Sequence, residues 1–131
     1  MGTVPLLKDE EVSARALAVF DDIRATRGTD YVNNFWRALA HDPDELEATW
    51  ARIKQVMAPG ALDPLVKEMI YIAVSTANSC SYCVHSHTAS ARAKGMTDEM
   101  HAELVRVIAM ASRTNGLVTA LQVEVDEVFK A

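Results

Sequence analysis

Strict apolar/polar alternation never persists long enough in this 131-residue chain to define a strand; apolar residues recur instead at three- and four-residue spacing. That period restricts the chain to an all-α fold in which each helix buries one stripe. A first helix is predicted from about Glu10 to Thr26, with Val12, Ala16, Val19, Phe20 and Ile23 on one face and Arg27-Gly28 closing it. Asp30 is expected to cap a short second helix, Tyr31 to Ala40, that stops at His41-Asp42-Pro43. Asp42-Pro43 and Asp63-Pro64 each place a capping carboxylate before a proline at the first helical position. They open a third helix through Glu47, Trp50, Ile53 and Val56 to Pro59-Gly60, and a fourth that carries Leu65, Met69, Ile72 and Ala73 to Ala77-Asn78. Ser79 is expected to cap a fifth helix that runs through both cysteines to Lys94 and ends on Gly95. Thr97 starts a sixth with Met100, Leu104, Val107, Ile108 and Ala111 on its face, and Asn115-Gly116 separates a seventh with Leu117, Leu121, Val125, Val128 and Phe129. The expectation is one domain over residues 1–131, a bundle of about seven helices; only Val123 to Val128, with β-branched residues at alternate positions, leaves a strand open.

Several function classes fall away on charge and patterning. Thirteen Lys+Arg stand against 18 Asp+Glu, a net charge of −5, and the acids are spread along the chain. No basic face is left to neutralise phosphates, so nucleic acid is not an expected partner. The segment Met1 to Glu11 has no basic stretch followed by a long apolar one, and Leu6 stands where a myristoylation signal wants Ser or Thr. The longest apolar runs, such as Met69 to Val74, are far short of the ~20 residues a membrane span needs. The expected location is therefore the cytoplasm, with no membrane association. There, two cysteines are too few for a disulfide framework, and a Cys-x-x-Cys pair points to redox or metal chemistry.

The informative stretch is Ser79-Cys80-Ser81-Tyr82-Cys83-Val84-His85-Ser86-His87. On a helix, Cys80, Cys83 and His87 share one face and His85 lies nearly opposite. Only a thiolate is nucleophilic, and an unperturbed thiol near pKa ~8.5 supplies little of it at neutral pH. A first-turn position favours negative charge on sulfur, and His87 is placed to take a proton. Glu68 is a lone carboxylate within the apolar run from Leu65 to Ile72. It lies ten residues before Asn78, and His87 lies eight after Ser79, so a helical hairpin would bring the two level. A carboxylate there would fix the tautomer of the imidazole and raise its basicity; a solvated surface role for Glu68 is the alternative.

Glu68, eleven residues, Cys80-Ser81-Tyr82-Cys83, three residues and His87 together resemble the E-x11-C-x-x-C-x3-H motif of the alkylhydroperoxidase D-like (AhpD-like) branch of the carboxymuconolactone decarboxylase family. Asn34 to Pro43 is similar to that family's preceding helix and its proline stop, and Lys94-Gly95-Met96-Thr97 to the turn after its active-site helix, so the resemblance covers about residues 31–115. It implies an all-helical dithiol peroxidase that assembles as a homo-oligomer, a trimer or hexamer; separately, no cofactor or metal is expected. By the same resemblance Cys83 attacks the peroxide O–O bond, and Cys80 gives a proton and closes the disulfide. His87 deprotonates Cys83 and Glu68 completes the relay, while a lipoyl-bearing or other dithiol partner regenerates the thiols. Tyr82 stands where related proteins often carry His. Family members with decarboxylase activity lack the Cys pair, so the resemblance points to peroxide chemistry.

Two rival readings use the same residues. Cys80, Cys83, His85 and His87 form a string of zinc-type ligands, with His41 and His101 elsewhere, yet tetrahedral zinc usually draws its pairs from two elements. A non-enzymatic oligomeric module that uses the dithiol as a redox sensor is the other. Attached haem needs Cys-x-x-Cys-His, and Val84 occupies the His position; a thioredoxin fold would need a strand before the dithiol. Tyr71, three residues from Glu68, joins Tyr82 and His85 as candidate neighbours of the pocket, with packing as the default role of the tyrosines.

Overall fold

A computed structural model of the chain describes residues 2–130, which form six α-helices and no strand. In chain order these are α1 (Ala14–Arg27), α2 (Asn34–Leu39), α3 (Pro43–Met57), α4 (Pro64–Ala77), α5 (Ser81–Ala93) and α6 (Asp98–Leu121). Short 3-10 turns occupy Asp9–Glu11 and Glu127–Phe129. None of the described helices is long and apolar enough to cross a membrane. The chain divides into two compact units, one up to Ala58 and one from Pro59 onward.

The first unit packs α1, α2 and α3. Ser13 starts α1 by accepting from the Ala16 N–H, and Gly28, at φ 64°, closes it in the left-handed region. Val12 therefore precedes the helix in which it was expected. Similarly, α2 begins at Asn34 rather than Tyr31, with Asn33 and not Asp30 at its N-cap. Ala16, Val19, Phe20 and Ile23 form the buried stripe of α1 and meet Trp36, Leu46 and Trp50. The two indole rings contact edge to face at 5.4 Å, and Trp50 Nε1 donates to Asp22 at 2.7 Å, which satisfies the indole's polar edge. Asp9 ties the N-terminal segment to this unit through ion pairs with Arg24 and Arg37.

The second unit is built on an antiparallel α4–α5 hairpin, with the first half of α6 against it. Ile72, Ala91 and Met96 are its buried centre, and Leu65, Met69, Met100, Leu104 and Ile108 pack around them. Thr97 caps α6 by accepting from the Met100 N–H at 3.1 Å. The expected break at Asn115-Gly116 does not occur: α6 continues through it to Leu121 and ends at Gln122, φ 51°. A glycine inside a helix costs only ~1 kcal/mol, less than the hydrogen bonds that propagation adds on either side. The count is therefore six helices rather than seven. Beyond Gln122 neither the seventh helix nor the alternative strand forms among the described residues, and the apolar stripe assigned to that helix is exposed, Leu117 and Leu121 on the end of α6 and Val125, Val128 and Phe129 after it.

Candidate active site

The turn between α4 and α5 sets the geometry of the cysteines. As α4 ends, Asn78 N–H donates to the Val74 carbonyl, Ser79 N–H to Thr76 and Cys80 N–H to Ser75. To make this turn Ser79 takes a left-handed conformation, φ 58°, which costs a residue with a Cβ about 1–2 kcal/mol. Ser79 is thus spent on closing α4, and the expected N-cap role passes to Cys80, whose Sγ accepts from the Cys83 N–H at 3.3 Å. Cys80 and Cys83 are joined as a disulfide, with S–S 2.09 Å and Cα–Cα 5.3 Å. Both are partly buried in the first turn of α5, where free amides and the helix dipole stabilise negative charge on sulfur.

One turn after Cys83, His87 meets Glu68 across the hairpin: Nδ1 lies 2.7 Å from Oε2. The other carboxylate oxygen, Oε1, accepts from Lys94 Nζ at 3.0 Å. Glu68 is only 4% exposed, so these two partners replace its hydration. Burial alone would push the Glu68 carboxyl up, but hydrogen bonds from His87 and Lys94, together with the charge of Lys94, hold it below its ordinary value. An ionised carboxylate can only accept, so Nδ1 carries the shared proton and Nε2 of a neutral ring carries the lone pair. Tyr71 stacks on His87 with centroids 3.6 Å apart and planes inclined by 20°, which holds the ring from its face while Glu68 holds its edge.

The remaining candidates sit outside this arrangement. His85 is exposed, and its Nδ1 donates to the Ser81 carbonyl of its own helix at 2.9 Å. Tyr82 is exposed at the helix start. His41 belongs to the first unit, where Nε2 donates to the Pro5 carbonyl at 2.8 Å. Among the described residues no three His, Cys, Asp or Glu side chains are grouped to hold a metal ion. Lys94 is the partner that sequence reasoning missed, having read it only as part of the turn. The signal was present: it lies seven residues after His87, two helical turns along the same face.

Residues 43–124 match the carboxymuconolactone decarboxylase family. The chain is 31% identical over 120 residues to a protein of Solibacter usitatus named alkyl hydroperoxide reductase AhpD, a match spanning 91% of this chain and 66% of that protein. It is 38% identical over 63 residues to uncharacterized protein 4 in the cox locus of Paracoccus denitrificans, which covers 48% of this chain and 57% of that one. The chain thus spans about two-thirds or less of the length of these curated relatives. A crystal structure of the alkylhydroperoxidase AhpD core from Rhodospirillum rubrum superimposes with a TM-score of 0.96 at 63% identity, over 100% of this chain and 98% of the other.

Proposed function

The chain belongs to the carboxymuconolactone decarboxylase family, and on that premise we propose that it is a dithiol peroxidase reducing small hydroperoxides through Cys83 and Cys80. The observation that carries this reading is the 2.7 Å contact between a buried, ionised Glu68 and His87, one helical turn from a cysteine pair already closed as a disulfide. With Nδ1 bound to Glu68, Nε2 takes the proton of the Cys83 thiol. The Cys83 thiolate attacks the distal peroxide oxygen. The O–O bond breaks, Cys83 becomes a sulfenic acid, and the alkoxide leaves as an alcohol with a proton from the relay or from Cys80. Cys80 sulfur then attacks the Cys83 sulfur and expels the sulfenic oxygen as water. Two thiols and one hydroperoxide become one disulfide, one alcohol and one water. A dithiol or lipoyl-type reductant reverses the disulfide by thiol exchange and is itself oxidised to a disulfide.

Cys83 is assigned as the attacking residue because the positioned base lies one turn from it. The N-cap amide contact on Cys80 Sγ favours an anionic sulfur there instead, which suits a resolving thiol that must itself become a nucleophile. The exposed apolar residues of α6 and the segment after it, among them Val107, Leu121, Val128 and Phe129, support self-association, which we read as a trimer or hexamer. The proposal is tested by steady-state consumption of an organic hydroperoxide with dihydrolipoamide as reductant. Sustained turnover by the native protein and none by Cys83→Ser supports it. Equal background rates for both would leave a redox sensor or a binding module as the better reading.

A further inference from the structure

We infer that Lys94 is a positioning residue of the Glu68–His87 pair: it holds Oε1 so that Oε2 stays on Nδ1 of His87, and its charge shares the carboxylate's negative charge with the imidazole. This inference rests on the peroxidase reading for its purpose, though not for its geometry. Lys94 lies at the C-terminal end of α5, and its side chain is 41% exposed. It therefore has water within reach, yet its ammonium turns inward to a carboxylate that is almost wholly buried. Glu68 is thereby fixed at both oxygens, and rotation of the carboxylate would break two charge-assisted bonds instead of one.

The charge matters as much as the anchoring. A buried carboxylate paired with His87 alone would favour an imidazolium, and a ring already protonated cannot accept the Cys83 proton. The Lys94 ammonium opposes that second positive charge. The groups facing the pair are few. Lys94, at the end of α5, bonds Glu68, Tyr71 of α4 stacks on His87, and Cys83 lies one turn before His87 on α5. From α6 the core of this unit receives Met100, Leu104 and Ile108, none of which titrates. Lys94 and His87 are the side chains that bond the Glu68 carboxylate. Removing Lys94 should therefore be felt directly as a change in the pH at which the base becomes available.

The test uses the full chain carrying Cys80→Ser, so that Cys83 is the sole thiol, and follows its alkylation by iodoacetamide against pH. Lys94→Gln and Lys94→Met remove the charge, and Lys94→Arg keeps it; because the side chain is partly exposed, none of them opens a buried cavity. In the two neutral variants the acid limb of the profile should move up by about half to one pH unit. That is the size of effect a unit charge on the order of 6 Å away exerts through a partly aqueous medium. Lys94→Arg should overlay the Lys94 protein. Neutral variants whose profiles superimpose on it, with thermal midpoints unchanged, would overturn the inference, as would an Arg variant displaced as far as the Gln variant. Hydroperoxide consumption by the native protein is measured alongside. A charge-dependent alkylation profile without peroxide consumption would sustain the role of Lys94 and refute the peroxidase reading, so the two failures are distinguishable.

Discussion

Replacing Glu68 with glutamine removes one charge from the centre of the relay and leaves its shape intact. The carboxylate now accepts from two donors, Nδ1 of His87 at 2.7 Å and Nζ of Lys94 at 3.0 Å. An amide has a single acceptor oxygen and cannot serve both. With its carbonyl toward His87, the Gln NH2 group faces the Lys94 ammonium, donor to donor. With its carbonyl toward Lys94, the NH2 group faces Nδ1 and drives the ring proton to Nε2, the atom that must be empty to receive the Cys83 proton. Either arrangement forfeits a charge-assisted hydrogen bond worth ~1.5–3 kcal/mol. If all of it is felt in the transition state, the rate falls roughly 10- to 150-fold. Stability should suffer less than the ~3–5 kcal/mol lost on breaking a fully buried pair, because the partly exposed Lys94 can turn to water. The assay is rapid mixing of the reduced protein with excess hydroperoxide, quenched with an alkylating agent that counts surviving thiols. A Glu68→Gln rate within about twofold of the native one, with helix content unchanged, would refute the tautomer argument.

Trapping of sulfenic acid with a dimedone-type reagent after peroxide treatment should label Cys80→Ser, in which Cys83 survives; label confined to Cys83→Ser would reverse the assignment of the two thiols. Tyr71→Ala removes the ring stacked on His87 and should slow Cys83 oxidation roughly 2- to 12-fold, equivalent to ~0.5–1.5 kcal/mol for an aromatic pair, whereas Tyr71→Phe should stay near the native rate; equal losses in both would shift the role from the ring to the hydroxyl. Acid titration separates the contribution of Glu68 to stability. Its folded carboxyl is held below the ordinary 4.5, so that contribution is fully present above this value and is lost as pH falls through the lowered one. The gap in thermal midpoint between native and Glu68→Gln proteins should accordingly shrink as pH drops below about 4.5, and a gap that widened toward acid would contradict the sign.

Local signals in the sequence located most helix ends because they are physical commitments of single residues. Asp42, Asp63 and Thr97 accept from first-turn amides as their positions imply, and Gly28 and Gly95 take positive φ after α1 and α5. Ser79 and Asn115-Gly116 misled for opposite reasons. Ser79 carries a good capping side chain, but the tight α4–α5 turn needs a left-handed residue at that place, so the cap moved to a thiol that cap preferences do not include. Asn115-Gly116 is a genuine break signal of small energy, overruled by the helix on both sides of it. Register arithmetic across the hairpin anticipated the level of Glu68 with His87, because both helices count from one short turn. Lys94 stands two turns beyond His87 on the same face of α5 and reaches back to Glu68 through its long side chain, a role hidden because a lysine near a helix C-terminus already has a sufficient local explanation.

In the proposed reaction Cys80 and Cys83 act together as a two-electron reductant of peroxides. Its most direct measurement is the intact mass of the fully reduced protein before and after one equivalent of an organic hydroperoxide, followed by addition of a dithiol. Rapid loss of two hydrogen masses is expected, mapped to the peptide holding Cys80 and Cys83, with the alcohol as co-product and full recovery on adding dithiol. Two thiols that remain countable, and a mass that does not change while the hydroperoxide persists, would contradict it.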